Sequence, residues 1–249
     1  MSTRLVNVVV DAADPAALAE FWCALLGWRV SLSAGEVDGE VDGEVEVQAP
    51  PGDGWRWDLV FVPVSEPKTV RNRLHLDLAS ASADQQMAIL DRALALGAKR
   101  VDIGQRNVPW FVLADPGGNE FCVLEPRPEY ADTGAVAAVV ADAADPPALA
   151  GFWSAASGWP VVRADPALAS LRDPDGRGPW LEFVRTTEPH TVKNRVHLDV
   201  APPPDGTIAA EADRLRALGA EPADVGQTGV PWRVLADPEG NEFCVLTPR

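Results

Sequence analysis

The hydrophobic pattern changes period in the same order four times along the chain. Residues 5–10, apolar except for Asn7, are read as a strand. Asp14-Pro15 then opens a helix, with Asp14 as N-cap and Pro15 at the first helical position. Leu18, Phe21, Trp22, Leu25 and Leu26 keep helical spacing until Gly27 ends it. Strands are expected at 28–32, 44–48 and 55–62, so residues 1–64 read β-α-β-β-β. The order returns over 70–126, with a strand at 74–78, a helix at 82–96 and strands at 99–103, 108–113 and 120–124. A third module has a strand at 135–140, a helix opened by Asp145-Pro146 and closed by Gly158, and strands at 159–163, 168–172 and 180–184. The fourth has a strand at 195–200, a helix at 208–218 and strands at 221–225, 230–235 and 242–246.

The second half repeats the first. Residues 108–124, VPWFVLADPGGNEFCVL, return at 230–246 as VPWRVLADPEGNEFCVL, differing at Phe111/Arg233 and Gly117/Glu239. Two strands joined by an Asp-Pro-x-Gly-Asn turn explain the segment, with Gly118, Asn119, Gly240 and Asn241 as the residues that tolerate positive φ. Self-similarity of this kind means a duplicated unit. The expected domains are 1–126 and 135–249, joined by a polar, Pro-containing linker at 127–134. The acidic stretch 35–46, GEVDGEVDGEVE, has no counterpart in the second half and reads as a solvated loop.

Composition removes several function classes. The net charge of −16 repels phosphate backbones and argues against a nucleic-acid partner, while favouring a cationic ligand. No apolar run is long enough to span a membrane, and the N-terminal stretch lacks the pattern of a signal peptide, so a cytoplasmic protein is expected. Cys23, Cys122 and Cys244 have no metal-knuckle spacing and are read as reduced thiols.

Two constellations could carry chemistry. His75 and Asp77 stand two apart on a strand, as do His197 and Asp199, so each pair points to one face. A carboxylate beside an imidazole orients it and raises its basicity, which suits a general base or a metal ligand. The same residues also fit a packing framework in which Arg73 pairs with Asp77. The second constellation is indole. Trp110 and Trp232 open strands and are the better pocket candidates, with Trp57 and Trp180 on the strands before the link between modules. Trp22 and Trp153, on helix faces, are expected in the core.

The segments Glu66-Pro67-x-Thr69-Val70-x-Asn72-Arg73-x-His75-Leu76-Asp77 and Asp115-Pro116-x-Gly118-Asn119-Glu120-Phe121-Cys122 recur at 188–199 and 237–244. With four β-α-β-β-β modules, they resemble the vicinal oxygen chelate superfamily, and more closely its glyoxalase-like subgroup. The resemblance implies an α+β fold of two tandem units, each of two modules curling into a half-barrel cup, packed as a fused pseudo-dimer. It also implies metal ligands on the first and last strands of the modules. His75 and His197 match that pattern. Asn7, Ala137 and Ala138 stand at other ligand places, and Cys122 and Cys244 stand where Glu is usual. Most ligands are thus replaced, and no cofactor is expected. A divalent ion (Zn, Ni, Mn or Fe), if held at all, would take His197, Glu182 and Cys244.

The expected function is a small-molecule binding protein of the glyoxalase/bleomycin-resistance type, holding an aromatic or cationic natural product in Trp-lined cups. Its binding residues would be Trp110, Trp232, Trp57, Trp180, Glu182 and Asn7. The alternative is a lyase, isomerase or cyclase using His197 or His75 as base, oriented by Asp199 or Asp77. Either protein would be a monomer or a homodimer without nucleic-acid or membrane partners.

Overall fold

A computed structural model describes residues 3–33 and 43–249. Most of the acidic stretch predicted as a loop therefore lies outside the described residues. Module 1 comprises β1 (Arg4–Ala12), α1 (Pro15–Leu26), β2 (Arg29–Ser33), β3 (Val45–Gln48) and β4 (Asp58–Pro63). Module 2 comprises β5 (Leu74–Leu78), α2 (Ala83–Ala95), β6 (Lys99–Arg100), β7 (Phe111–Ala114) and β8 (Glu120–Val123). Module 3 comprises β9 (Val136–Ala143), α3 (Pro146–Ser157), β10 (Val161–Ala164), β11 (Leu168–Leu171) and β12 (Trp180–Arg185). Module 4 comprises β13 (Val196–Ala201), α4 (Ile208–Ala217), β14 (Glu221–Pro222), β15 (Arg233–Ala236) and β16 (Glu242–Val245). The predicted caps hold: Asp14 accepts from the Ala17 amide, and Gly27 ends α1 in the left-handed region at φ 74°. Among the described residues, no helix is long and apolar enough to cross a membrane.

The α+β architecture of four modules is as expected, but the modules share sheets in a different pairing. One eight-stranded sheet runs β14-β15-β16-β13-β1-β4-β3-β2, and the other runs β10-β11-β12-β9-β5-β8-β7-β6. Module 1 therefore shares its sheet with module 4, and module 2 with module 3. The seams are antiparallel, β1 against β13 and β5 against β9. Hydrophobic pattern cannot reveal such a pairing, because either partner would bury the same face.

Each sheet is apolar on the helix side. Val8, Val10, Leu59, Phe61, Leu198, Phe243 and Val245 enter the core there, and the residues between them face the opposite hollow. Modules of the same half meet through the helix layer. The edge of the Trp22 indole packs on Phe121, and Trp153 packs likewise on Phe243. The repeated turn fastens this contact. Asp115 is buried and accepts from Trp22 Nε1 at 3.2 Å, from the Asn119 amide at 2.8 Å and from Asn119 Nδ2. Asn119 Oδ1 in turn accepts from Asn72 Nδ2 at 3.0 Å. Asp237, Trp153, Asn241 and Asn194 repeat the set. Gly118 and Gly240 take the positive φ the turn requires, at 85° and 87°, whereas Asn119 and Asn241 serve as hydrogen-bonding groups. Arg73 does not pair with Asp77. Its guanidinium donates to Asn241 Oδ1 and to the carbonyls of Glu188 and Asp142, bridging the two halves.

Replacing Asp115 by Ala strands the Trp22 and Asn119 donors in a buried site. Asp115→Ala is expected to lose about 3 kcal/mol of stability or more, with Asp115→Asn losing less. Chemical denaturation followed by Trp fluorescence measures it, and a loss below about 1 kcal/mol would contradict the clasp.

Candidate functional site

The seam between β1 and β13 makes the floor of one hollow, cup 1/4. Asn7 on β1 stands opposite Asp199 on β13 and beside Asp58 on β4, and Asp199 stands beside Cys244 on β16. Val9 is opposite His197, with Val60 and then Glu46 farther along the same row. Because side chains alternate along a strand, these residues share one face. They line a cavity of about 1760 Å³, together with Glu44, Asp11, Lys193 and Trp232.

At the floor, His197 Nε2 lies 3.5 Å from Asp199 Oδ1 and 3.8 Å from Cys244 Sγ. Asn7 Nδ2 donates to Asp199 Oδ2 at 3.1 Å. Asn7 Oδ1 and Asp199 Oδ1 are buried without a hydrogen-bond partner. Burial, with the Lys193 ammonium nearby, pushes the His197 imidazole down to about 3, so it is neutral at physiological pH. Burial pushes the Asp199 carboxyl up to about 7, against the hydrogen bonds from Asn7 and Cys244. Burial and the Asp199 charge hold the Cys244 thiol well above its ordinary range.

Cup 2/3 has the same plan with different contents. His75 Nε2 lies 3.3 Å from Asp77 Oδ1, and Asp77 stands beside Cys122 in the parallel β5–β8 register. Burial lowers the His75 imidazole, but the hydrogen bond and charge of Asp77, with Asp142, more than offset this and leave it raised. Glu182 belongs here, in one row with Val140 and His75. It accepts from Ser170 Oγ at 3.1 Å and from the Tyr130 hydroxyl at 3.2 Å.

The expected ion set of His197, Glu182 and Cys244 is thus split between the two cups, because β12 joins the sheet of β5 rather than that of β13. A different set meets in each cup. His197, Asp199 and Cys244 offer ligand atoms within 4.8 Å of one another, as do His75, Asp77 and Cys122. A tetrahedral zinc site needs ligand atoms about 3.3–3.8 Å apart, so the two His197 distances fit a divalent ion. Asp199 Oδ1 would be a free acceptor for it. These three residues would hold the ion, which when bound acts as a Lewis acid.

The tryptophans distribute differently from expectation. Of the four candidates, Trp232 alone lines cup 1/4, with Nε1 donating to Gln227. Trp57 is in the core, stacked on Trp159 at 5.3 Å, because it precedes β4 and turns to the helix side. Trp110 and Trp180 belong to cup 2/3. The walls of cup 1/4 are largely carboxylate, amide and valine. Two residues of the cups were not anticipated. Asp58 gives no signal beyond opening a strand. Tyr130 is the one tyrosine of the chain, and that singularity was its only mark.

A carboxyl whose folded pKa is raised stabilises the fold at low pH, and that stability is lost as pH rises through the folded value. For Asp199 the window runs from its ordinary 3.8 to about 7. His197 has the opposite sign: its stability is present above its ordinary 6.5 and is lost as pH falls towards about 3. The two slopes oppose each other between about pH 4 and 6.5, leaving the Asp199 loss visible near neutrality. Wild type is therefore expected to lose stability relative to Asp199→Asn from pH 6.5 to 8 in thermal melts. Parallel curves would contradict the assignment.

Residues 7–124 and 138–246 match the family described as Glyoxalase-like domain. Glyoxalase I from Zea mays is similar over 99% of this chain and 92% of that one, with a TM-score of 0.66 and 14% identity. A putative dioxygenase from Bacillus subtilis is similar over 99% and 86%, with a TM-score of 0.64 and 12% identity. At these identities the likeness shows the fold alone. A search of curated proteins found no match. With both copies of the repeat matched, the chain belongs to the glyoxalase-like domain family of the vicinal oxygen chelate superfamily.

Proposed function

We propose that the protein binds a small polar molecule in cup 1/4, through a cationic or hydrogen-donating group that meets the floor. One observation carries this reading. Asn7 Oδ1 and Asp199 Oδ1 are buried acceptors without partners, and they stand beside His197 and Cys244 at the base of a large cavity. An unpaired buried acceptor is costly, and a ligand that supplies a donor or a cation recovers that cost. The acidic balance of the chain adds a field of the same preference. An aromatic ligand has less support than the sequence suggested, since Trp232 is the one candidate indole at this cavity.

A divalent ion and an organic ammonium satisfy the floor by the same chemistry, and titration separates them. Isothermal titration with Co²⁺ and with small primary amines is expected to give one site per chain for at least one of the two. Asn7→Ala and Asp199→Asn should weaken it about tenfold or more. Glu182→Gln, in the other cup, should leave it unchanged. Co²⁺ bound here would also show thiolate-to-metal absorption that Cys244→Ser removes and Cys122→Ser retains. Absence of both kinds of binding, or binding indifferent to Asn7 and Asp199, would overturn the proposal.

A second reading, a lyase or isomerase, is favoured by the contact between neutral His197 and Asp199 at the cavity floor. Proton transfer is most efficient from a group that titrates near the working pH. Asp199 meets that condition better than His197, the base expected from the sequence. A fall in kcat in Asp199→Asn at saturating substrate, beyond any rise in KM, would establish it.

A further inference from the structure

We propose that cup 2/3 is a second small-molecule site, shaped for a phenol or a comparable hydroxylated aromatic ring, and that the chain's own Tyr130 stands in it. Tyr130 ends a short 3-10 turn, Pro128–Tyr130, in the segment between the repeats. Its neighbours Glu129, Ala131 and Asp132 are exposed, yet its own side chain is buried. The ring meets Trp180 edge-on, with centroids 6.5 Å apart, and the Arg127 guanidinium lies 5.7 Å from its centroid. Cys122, Leu124 and Ala137 pack around it, with Trp110 and Val112 beside them.

The hydroxyl is recognised as a ligand's would be. Glu182 is fixed by Ser170 on one oxygen and presents the other to Tyr130. Arg127, paired with Glu125, also lies over Trp110, 5.3 Å from its centroid. A purely apolar plug would sit in apolar surroundings. Here Asp77 Oδ1 lies 3.3 Å from His75 Nε2, and Glu125 Oε2 is buried without a hydrogen-bond partner. The His75 and Asp77 pair has its match in cup 1/4, where His197 and Asp199 line the cavity. The scaffold of a binding site is therefore retained, and a tethered phenol occupies it.

The test replaces the tether by a free ligand. In wild type, N-ethylmaleimide read by peptide mass spectrometry is expected to leave Cys122 unmodified. Tyr130→Gly should make Cys122 reactive, and p-cresol should bind that variant one to one and protect Cys122 again. Toluene lacks the hydroxyl and should bind about tenfold more weakly or worse. Adding Glu182→Leu should abolish that preference, and Asp199→Asn, in the other cup, should not affect it. Equal binding of toluene and p-cresol would overturn the proposal, as would a Tyr130→Gly protein that binds neither. If Tyr130→Gly does not fold, refolding yield becomes the readout. Recovery with p-cresol but not toluene supports the proposal, and recovery with both or neither overturns it.

Discussion

The antiparallel pairing of β1 with β13 and of β5 with β9 is the constraint on which the rest of the molecule depends. Each pairing joins a strand of one repeat to a strand of the other, so no sheet is complete within either half. Asp199 stands opposite Asn7, with Asp58 one strand beyond, only because the first half supplies the neighbouring strands. The clasps made by Asp115 and Asp237 hold the two modules of a half together through the helix layer. Every module is thus bound once through its sheet and once through its helix. Arg73 reinforces the crossing by donating to carbonyls and an amide of the other half.

On this near-symmetric frame the two cups carry different chemistry. Asp11 and Asp142 are repeat mates, and so are their partners Lys193 and Arg71. The neighbourhoods of the two imidazoles nevertheless differ in net effect. Lys193 adds to the desolvation that depresses His197, while Asp77 and Asp142 outweigh the desolvation of His75. Val60 in one cup answers Glu182 in the other, and Glu182 is what gives the Tyr130 hydroxyl a partner. The repeated strands and turns preserve the core, where a change costs stability. At the floor the His, Asp and Cys of the two cups are the same, and the differences lie in the residues around them, such as Val60 and Glu182.

Much of this was legible in the sequence, and the remainder was not for definable reasons. The caps Asp14 and Asp145, the stop at Gly27 and the hairpin turn at Asp115 are local, and their residue types state their geometry. His197 and Asp199 share a face because strand alternation has a fixed period of two. Which strands lie beside them is a long-range fact, so the placement of Glu182 was missed. The pattern reads Trp57 as a strand residue facing the hollow, but β4 begins one residue later and Trp57 turns to the core. Asp115 could be read as a turn residue, but its bond to Trp22 joins positions 93 residues apart and leaves no local trace.

Expression of residues 1–126 and 135–249 as separate chains tests the shared-sheet arrangement most directly. The account predicts that neither half is a folded monomer, and that the halves associate one to one when combined, restoring near-UV circular dichroism and a single cooperative melt. A half that is monomeric by light scattering, with native near-UV signal of its own, would contradict it.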